Sequence, residues 1–219
     1  MSTGVRPIVS TTTLGQAWLE VAELILDAGK PGFWSGAPLR ELLRTTLEVS
    51  APDPDDSLIG RFADRERLAW MRANFTDHAR VAALGDADSY ATRLYDYARS
   101  GRDQIQWVIG RLRADRYVRD ATITTFQPLT DTTYVPCVSL LDFWLEDGAL
   151  QLGVYAHGID FGTKGYANLV ELAALQQRVA AELSAGIGTL TMTIKSAHIY
   201  DTELELMRDI RRRAVACDT

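Results

Sequence analysis

The feature that most limits how this chain can fold is a β-hairpin signal in its second half. Two apolar segments, Cys137–Leu145 and Leu150–Ala156, flank the short polar sequence Glu146-Asp147-Gly148. Asp followed by Gly between apolar runs is typical of a tight hairpin turn, because these residues readily adopt positive φ angles. The sequence therefore predicts two adjacent antiparallel strands at this point.

Helical spacing predominates before the hairpin. The segment Leu14–Ala28 carries Trp18, Val21 and Ile25 at helical spacing, and Gly29 supplies a stop signal. Further predicted helices are Arg65–Phe75, most of Ala87–Leu112 and Asn168–Leu183, and further predicted strands are Ala121–Phe126 and Thr189–Lys195. Residues 30–36 and 51–56 are predicted as a turn and a loop, and residues 39–49 as either helix or strand. This order favours one α+β domain covering residues 1–219.

The acidic composition narrows the classes of partner. The 219 residues carry a formal net charge of −6. No nucleic-acid partner is expected, because domains that bind nucleic acid usually carry a basic surface. A small anionic ligand is compatible with this charge, since a few local arginines can hold one. Lysine occurs only at Lys30, Lys164 and Lys195, a bias that we attribute to GC-rich coding.

The cysteines and the hydropathy pattern indicate a protein of the cytoplasm. Cys137 and Cys217 are far apart in the sequence, and no secretion signal precedes them. A disulfide framework is therefore not expected, and a reducing compartment is the default. No apolar run approaches the length needed to cross a bilayer, so we expect no membrane partner.

A small set of polar residues in the second half has both a structural and a chemical interpretation. Cys137 lies in an apolar strand, where a free cysteine is more often a small buried hydrophobe than a nucleophile. Asn168 at the head of a helical segment is typical of a helix cap, and Asp160 of a turn. His198 and Tyr200 flank Ile199 at a strand end, so that alternation places both side chains on one face.

Taken in order, these residues resemble a known family. The sequence Pro136-Cys137, the segment 155–160 (Tyr-Ala-His-Gly-Ile-Asp), Asn168 and the His198-x-Tyr200 pair are similar to motifs of thymidylate synthase and of the pyrimidine nucleotide hydroxymethylases. The similarity extends from about residue 39 to the end and is strongest between Val135 and Tyr200. It implies a divergent, short member of this superfamily, with a mixed β-sheet, helices packed on one side of the sheet, and a homodimer.

The resemblance also implies roles for these residues. Cys137 would add to C6 of a pyrimidine, Asn168 would bind the O4 and N3 edge, and Asp160 would contact the ring or the cofactor. His198 and Tyr200 would hold the sugar hydroxyls. An Asn at position 168 favours uracil, because the cytosine-specific relatives often carry Asp there. Cytosine stays open, since a flipped amide also presents an acceptor.

The first half of the chain contains weaker matches. Glu41, in the sequence Arg40-Glu41-Leu42-Leu43, resembles the catalytic Glu of the family, which organises water and proton transfers. Trp70 and Asn74 resemble the segment that lines the folate side of the site. The implied cofactor is 5,10-methylenetetrahydrofolate.

Three departures from the family pattern concern phosphate. The family's arginine pair that reaches into the partner subunit appears here as Arg119-Asp120, and an arginine beside the aspartate motif appears as His157. The next residue is Gly158 where the family has serine. An early Arg-Thr-Gly loop is absent, with Arg6 and the threonines at 11–13 as the nearest candidates. We expect weak phosphate binding by Arg119 and His157, which weakens further as the pH rises past the pKa of His157, near 6.5 if unperturbed.

The sequence thus predicts folate-dependent one-carbon transfer to C5 of a pyrimidine nucleotide such as UMP, dUMP, CMP or dCMP. The unusual phosphate residues favour 5-hydroxymethylation in specialised metabolism, such as nucleoside antibiotic biosynthesis. Reductive methylation, as in thymidylate synthase proper, is the second hypothesis. A nucleotide-binding relative without catalysis is the third, and the presence of Cys137 and Glu41 argues against it.

Overall fold

A computed structural model describes residues 7–216. The strands are β1 (Ile8–Thr11), β2 (Lys30–Trp34), β3 (Ala37–Val49), β4 (Arg80–Val81), β5 (Ala87–Asp88), β6 (Thr122–Thr124), β7 (Val138–Glu146), β8 (Ala149–Ala156), β9 (Ile159–Asp160) and β10 (Gly186–Tyr200). The α-helices are α1 (Leu14–Ala28), α2 (Ser57–Phe62), α3 (Arg65–Thr76), α4 (Tyr90–Tyr95), α5 (Gln104–Ala114), α6 (Gly165–Glu182) and α7 (Leu204–Val215). No helix in this range is both long and apolar enough to cross a bilayer.

One mixed sheet organises the fold. Its strands follow the order β1-β3-β10-β8-β7-β6, with β2 paired to β3 and β9 paired to β10. Strand β10 runs antiparallel to β3 on one side and parallel to β8 and β9 on the other. Both edges of this strand are therefore hydrogen-bonded along most of its length, which makes it a rigid platform for the residues near its end.

The helices cover one face of the sheet, as the sequence predicted. Helices α1 and α6 pack against each other where the ring centroids of Trp18 and Tyr166 lie 4.8 Å apart. The buried Trp18 indole also donates a hydrogen bond to the Phe161 carbonyl at 2.9 Å, so this core aromatic fixes the loop before α6. On the opposite face the side chains of Ile8, Leu140 and Tyr155 are exposed.

The predicted hairpin is confirmed at β7–β8. Its turn uses Asp147 and Gly148 at positive φ angles of 49° and 80°, which Asp tolerates and Gly favours. A second hairpin joins β2 to β3 through Ser35 and Gly36, also at positive φ. The prediction of a turn over residues 30–36 was therefore correct only for its last two residues.

The structure settles one open prediction and corrects another. Residues 39–49 lie in a strand, because β3 pairs along its length with β10. Residues 87–112 do not form one helix: they contain β5, α4, a short 3-10 turn at Tyr97–Arg99 and most of α5. The break lies where Ala98 and Arg99 adopt positive φ, which a continuous α-helix cannot accommodate.

Candidate active site

A large cavity of about 960 Å³ opens between the end of the central strands and helices α3 and α6. It brings together most of the candidate residues. Those that line it are Cys137, Asp160, Asn168, His157, His198, Tyr200, Trp70 and Asn74. Glu41 and Arg119 do not line it.

The loop that carries Cys137 into the cavity is fixed by a buried ion pair. The Arg93 guanidinium makes two hydrogen bonds of 2.7 Å to the Asp131 carboxylate and a third, of 2.8 Å, to the Thr125 carbonyl. Arg93 is only 2% exposed. The planar fork of arginine suits this bidentate geometry, so α4 anchors the segment that leads into β7.

The Cys137 thiol has groups around it that shift its pKa in opposite directions. Burial raises the pKa of the thiol, while the positive charge of Lys164 and a hydrogen bond with the Tyr134 hydroxyl lower it. Tyr90 supports the same point of the chain, because its hydroxyl accepts a hydrogen bond of 3.0 Å from the Val138 amide. The effect of burial is the largest and the pKa of the thiol is raised overall, so Lys164 and Tyr134 only partly offset the cost of forming a thiolate here.

Asn168 lies within the first turn of α6 rather than at its cap, which corrects the capping interpretation. The N-cap residue is Lys164, whose carbonyl accepts a 3.0 Å hydrogen bond from the Asn168 Nδ2. The Oδ1 atom of Asn168 is buried without a hydrogen-bond partner. Because an unpaired buried acceptor is costly, this atom is placed to receive a donor from a molecule in the cavity.

Asp160 and His198 face each other across paired strands. They are register partners between β9 and β10. The Asp160 carboxylate accepts hydrogen bonds from the Gly162 amide at 2.9 Å and from the Thr163 hydroxyl, so it takes part in a turn, as the simpler interpretation predicted. Burial lowers the pKa of His198, and the charge of Asp160 opposes this effect. His198 and Tyr200 share one face as predicted, with ring centroids 5.2 Å apart.

Glu41 lies beside His198 on the neighbouring strand and does not line the cavity. It is the register partner of His198 on β3, and its carboxylate accepts a 2.6 Å hydrogen bond from the Ser196 hydroxyl. That hydroxyl is 3.4 Å from Nδ1 of His198. The negative charge of Glu41 raises the pKa of His198, against the dominant effect of burial. Glu41 therefore connects to the cavity through Ser196 and His198.

Trp34 fills the space beside Gly158. The indole lies edge-on to His157 and His198, with centroid separations of 5.7 and 5.2 Å. A Cβ atom at Gly158 would lie 2.4 Å from the Cζ3 atom of Trp34, so any side chain there requires the partly exposed indole to move. The glycine thus allows Trp34 to take the position that it has in this structure.

His157 does not carry the charge that the sequence interpretation gave it. Burial lowers its pKa, and the nearby positive charge of Lys195 and the proximity of His198 lower it further. The imidazole is consequently neutral at pH 7, and its Nδ1 lies 3.4 Å from the Ser139 hydroxyl. A decline in phosphate binding as His157 loses its proton belongs below pH 6.5, not around neutrality.

Trp70 and Asn74 occupy the wall formed by α3. The Asn74 Oδ1 accepts a 2.9 Å hydrogen bond from the backbone amide of Tyr90. The Asn74 side chain therefore also has a structural role, because it joins α3 to α4. Met71, Leu84 and Phe126 also line the cavity. Together with Trp70 they give it an apolar and aromatic lining, which suits a flat heterocycle.

The remaining phosphate candidates lie elsewhere. The Arg119 guanidinium donates to the carbonyls of Tyr117 and Val118, at 3.1 and 3.0 Å. Asp120 is held by Arg111 through hydrogen bonds of 2.6 and 2.7 Å, so its charge is paired. Thr13 caps α1. Arg6 and Cys217 lie outside the described residues.

The cavity residues that the sequence interpretation missed include Trp34, Tyr134, Lys164 and Lys195. One signal pointed to two of them. The chain has three lysines, and Lys164 and Lys195 both line the cavity. Lysine is therefore rare in the chain, and two of the three lysines lie where they can contact a ligand. Trp34 and Tyr134 gave no comparable signal, because aromatic residues near glycines and prolines are common in loops.

Comparison with known proteins is consistent with this site. The family model described as thymidylate synthase matches residues 55–217. A protein of Methanosarcina barkeri named "Putative thymidylate synthase" is 29% identical over 214 residues, covering 93% of this chain and 94% of its own length. A protein of the same name from Methanothermobacter marburgensis is 29% identical over 220 residues, covering 92% and 96%.

A relative with a different name matches half of the chain. The "Deoxyuridylate hydroxymethyltransferase" of Bacillus phage SP01 is 31% identical over 119 residues, which are 50% of this chain and 31% of the phage protein. The family model alone spans well over half of the sequence, and the cavity holds the thiol, the amide and the His-x-Tyr pair in the expected order. The chain belongs to the thymidylate synthase family.

Proposed function

We propose that this protein transfers a one-carbon unit from 5,10-methylenetetrahydrofolate to C5 of a pyrimidine nucleoside monophosphate. The observation that carries the proposal is the convergence of Cys137, Asn168 and the His198–Tyr200 pair on one cavity. The orphaned Oδ1 atom of Asn168 adds a specific requirement for a ligand with a hydrogen-bond donor. Family relatives named for methylation and for hydroxymethylation of uracil nucleotides support the same class of reaction.

Cys137 is the proposed nucleophile. Its thiolate adds to C6 of the ring, the C5–C6 π electrons move toward C5 and O4, and C5 becomes able to attack an electrophilic carbon. Loss of the C5 proton would release the transferred carbon from its carrier as an exocyclic methylene group, water would add to this carbon to supply the hydroxyl, and expulsion of the thiolate would restore the ring. Lys164 and Tyr134 assist both steps, because they stabilise the thiolate as it attacks and as it leaves.

The other cavity residues hold the substrate. Asn168 binds the polar edge of the ring, and Asp160 orders the turn beneath it. His198 and Tyr200 hold the sugar hydroxyls. Glu41 manages protons through Ser196 and His198, since its carboxylate is hydrogen-bonded to the serine hydroxyl. Such a relay suits a carboxylate that does not itself reach the cavity.

The residues present also fit the folate. The surface formed by Trp70, Met71, Leu84 and Phe126 is suited to a flat pterin, with Asn74 as a polar contact. The cavity volume of about 960 Å³ is at the upper end of the range for small-molecule sites, roughly 300–1,000 Å³. Methylenetetrahydrofolate supplies the one-carbon unit when bound.

We further propose a homodimer formed through the open face of the sheet. That face exposes Ile8, Leu140 and Tyr155, with Tyr155 40% exposed. Exposed apolar side chains on a broad, regular surface are typical of protein interfaces. Sedimentation of the purified protein tests the dimer, and a monomer at micromolar concentration contradicts it.

The decisive experiment is mass spectrometry of the products. The enzyme is incubated with methylenetetrahydrofolate and with each of UMP, dUMP, CMP and dCMP. A gain of CH2O identifies hydroxymethylation, which we expect, and a gain of CH2 identifies reductive methylation. A nucleotide that binds without any gain of mass identifies a non-catalytic relative. No binding of any of the four contradicts the proposal as a whole.

Replacing Asn168 with aspartate is expected to shift ring preference from uracil toward cytosine by about 1–3 kcal/mol. A carboxylate has only acceptors, so it complements the 4-amino group and repels O4. It also faces the Lys164 carbonyl that Nδ2 now contacts. The repulsion between the new carboxylate and the Lys164 carbonyl is the same with either ligand. The ratio of kcat/KM for uridine and cytidine nucleotides therefore reports only the change in ring preference. A wild-type protein that already prefers cytosine contradicts the assigned role of Asn168.

A further inference from the structure

The positive charges available to a ligand are few. Among the cavity residues within the described part of the chain there is no arginine, and the basic side chains are Lys164, Lys195, His157 and His198. The histidines are both held toward their neutral forms. A dianionic phosphate in this cavity therefore depends on the lysines for any fixed charge from its own chain.

The two lysines lie on different elements. Lys164, the N-cap residue of α6, acts on the Cys137 thiol and on His198. Lys195 belongs to β10, where Ile194 pairs with Ala156 and Ala197 pairs with Ile159. This continuous parallel register places Lys195 beside His157 on the neighbouring strand segment, three residues before His198. Lys195 thus lies next to His157, whose pKa its charge lowers, and both residues line the cavity.

Lys195 also has no ion-pair partner among the described residues. No carboxylate of the described residues lies within 4.0 Å of its ammonium group. Its neighbours cannot provide a substitute, because Gly158 has no side chain and Trp34 fills the adjacent space. An unpaired lysine on a cavity wall, next to a neutral imidazole, is suited to bind an anion that projects from the sugar.

We propose that Lys195 is the phosphate-binding residue of this cavity, with neutral His157 as a hydrogen-bonding partner. The inference rests on the proposed function, and it replaces the pairing of Arg119 with charged His157 that the family resemblance implied. The long stem of lysine lets its ammonium follow a 5′-phosphate. Selectivity for a nucleoside monophosphate over the nucleoside would then come from β10 itself, the strand that also holds the sugar hydroxyls.

Titration calorimetry of Lys195→Gln tests this directly. UMP and CMP are compared with uridine and cytidine, for wild type and variant. We expect the variant to bind the monophosphates about 10- to 100-fold more weakly, the usual effect of removing a charged hydrogen bond. The nucleosides are expected to bind within about twofold of wild type, because they carry no phosphate. Arg65→Gln, which removes an exposed positive charge outside the cavity, is the matched control and should change neither.

The pH dependence separates Lys195 from His157. Because the pKa of His157 is lowered, this imidazole stays neutral between about pH 7 and about pH 8.5, and a preference of wild type for monophosphates that does not depend on it should persist across that range. Loss of the preference within the range would assign phosphate binding to a titrating histidine and overturn the inference. Equal weakening of both ligand types in Lys195→Gln, or none, overturns it while leaving the proposed function intact. A wild-type protein that binds no nucleotide overturns both.

Discussion

Cys137→Ser is expected to lower kcat by roughly 10^4-fold or more, the scale seen when a nucleophile is removed from an enzyme. A serine hydroxyl is far less ionised than a thiol at neutral pH, and Lys164 and Tyr134 have no thiolate to stabilise. The volume is nearly unchanged, so the variant should fold and bind nucleotide normally. Single-turnover kinetics and thermal unfolding measure the two effects separately.

The control for this variant is the other thiol of the chain. Cys217→Ser removes the same chemical group from a polar segment of the sequence and should keep full activity. Release of tritium from a C5-tritiated substrate provides a second measurement, since it requires addition at C6. Normal tritium release by Cys137→Ser would show that covalent catalysis by this residue is wrong.

Arg93→Ala is expected to lower the free energy of unfolding by about 3–5 kcal/mol, the cost of leaving one member of a buried ion pair unpaired. The Asp131 carboxylate would lose both of its 2.7 Å guanidinium contacts. The Thr125 carbonyl would also lose a donor. Because this pair anchors the loop before Cys137, activity should fall more steeply with temperature than in wild type. Urea unfolding gives the free energy.

An exposed ion pair is the matched control. Arg113 bonds Glu182 with both side chains about half exposed, so Arg113→Ala should cost only about 0.2–1 kcal/mol. Removing both Arg93 and Asp131 should recover part of the loss, because no uncompensated charge is left buried. Equal effects of Arg93→Ala and Arg113→Ala would contradict the structural role of the buried pair.

Local sequence patterns predicted the elements that depend on local chemistry. The hairpin at Asp147–Gly148 follows from residues that tolerate positive φ, and α1 follows from its spaced apolar face. Residues 39–49 were ambiguous because their pattern suits either element. Pairing with β10, about 150 residues later in the sequence, decides for a strand. Such a long-range contact is not visible in a local window.

Some residues of the candidate site could likewise be identified from the sequence, and others depend on tertiary packing. Cys137, Asn168, His198 and Tyr200 could be identified because their order along the chain resembles a family pattern, and the cavity contains all four. Lys195 could not, since its position beside His157 depends on the register of two parallel strands. The charge state of His157 likewise depends on burial and on its neighbours. A pKa shift of this kind comes from packing, which residue identity does not determine.

The contact between Trp34 and Gly158 has a consequence for how these two positions can vary. A Cβ atom at position 158 would lie 2.4 Å from the Cζ3 atom of the indole, so a side chain there is accommodated only if this tryptophan, which is 39% exposed, moves its ring away. The two positions are therefore coupled: a substitution at one changes which residues the other tolerates.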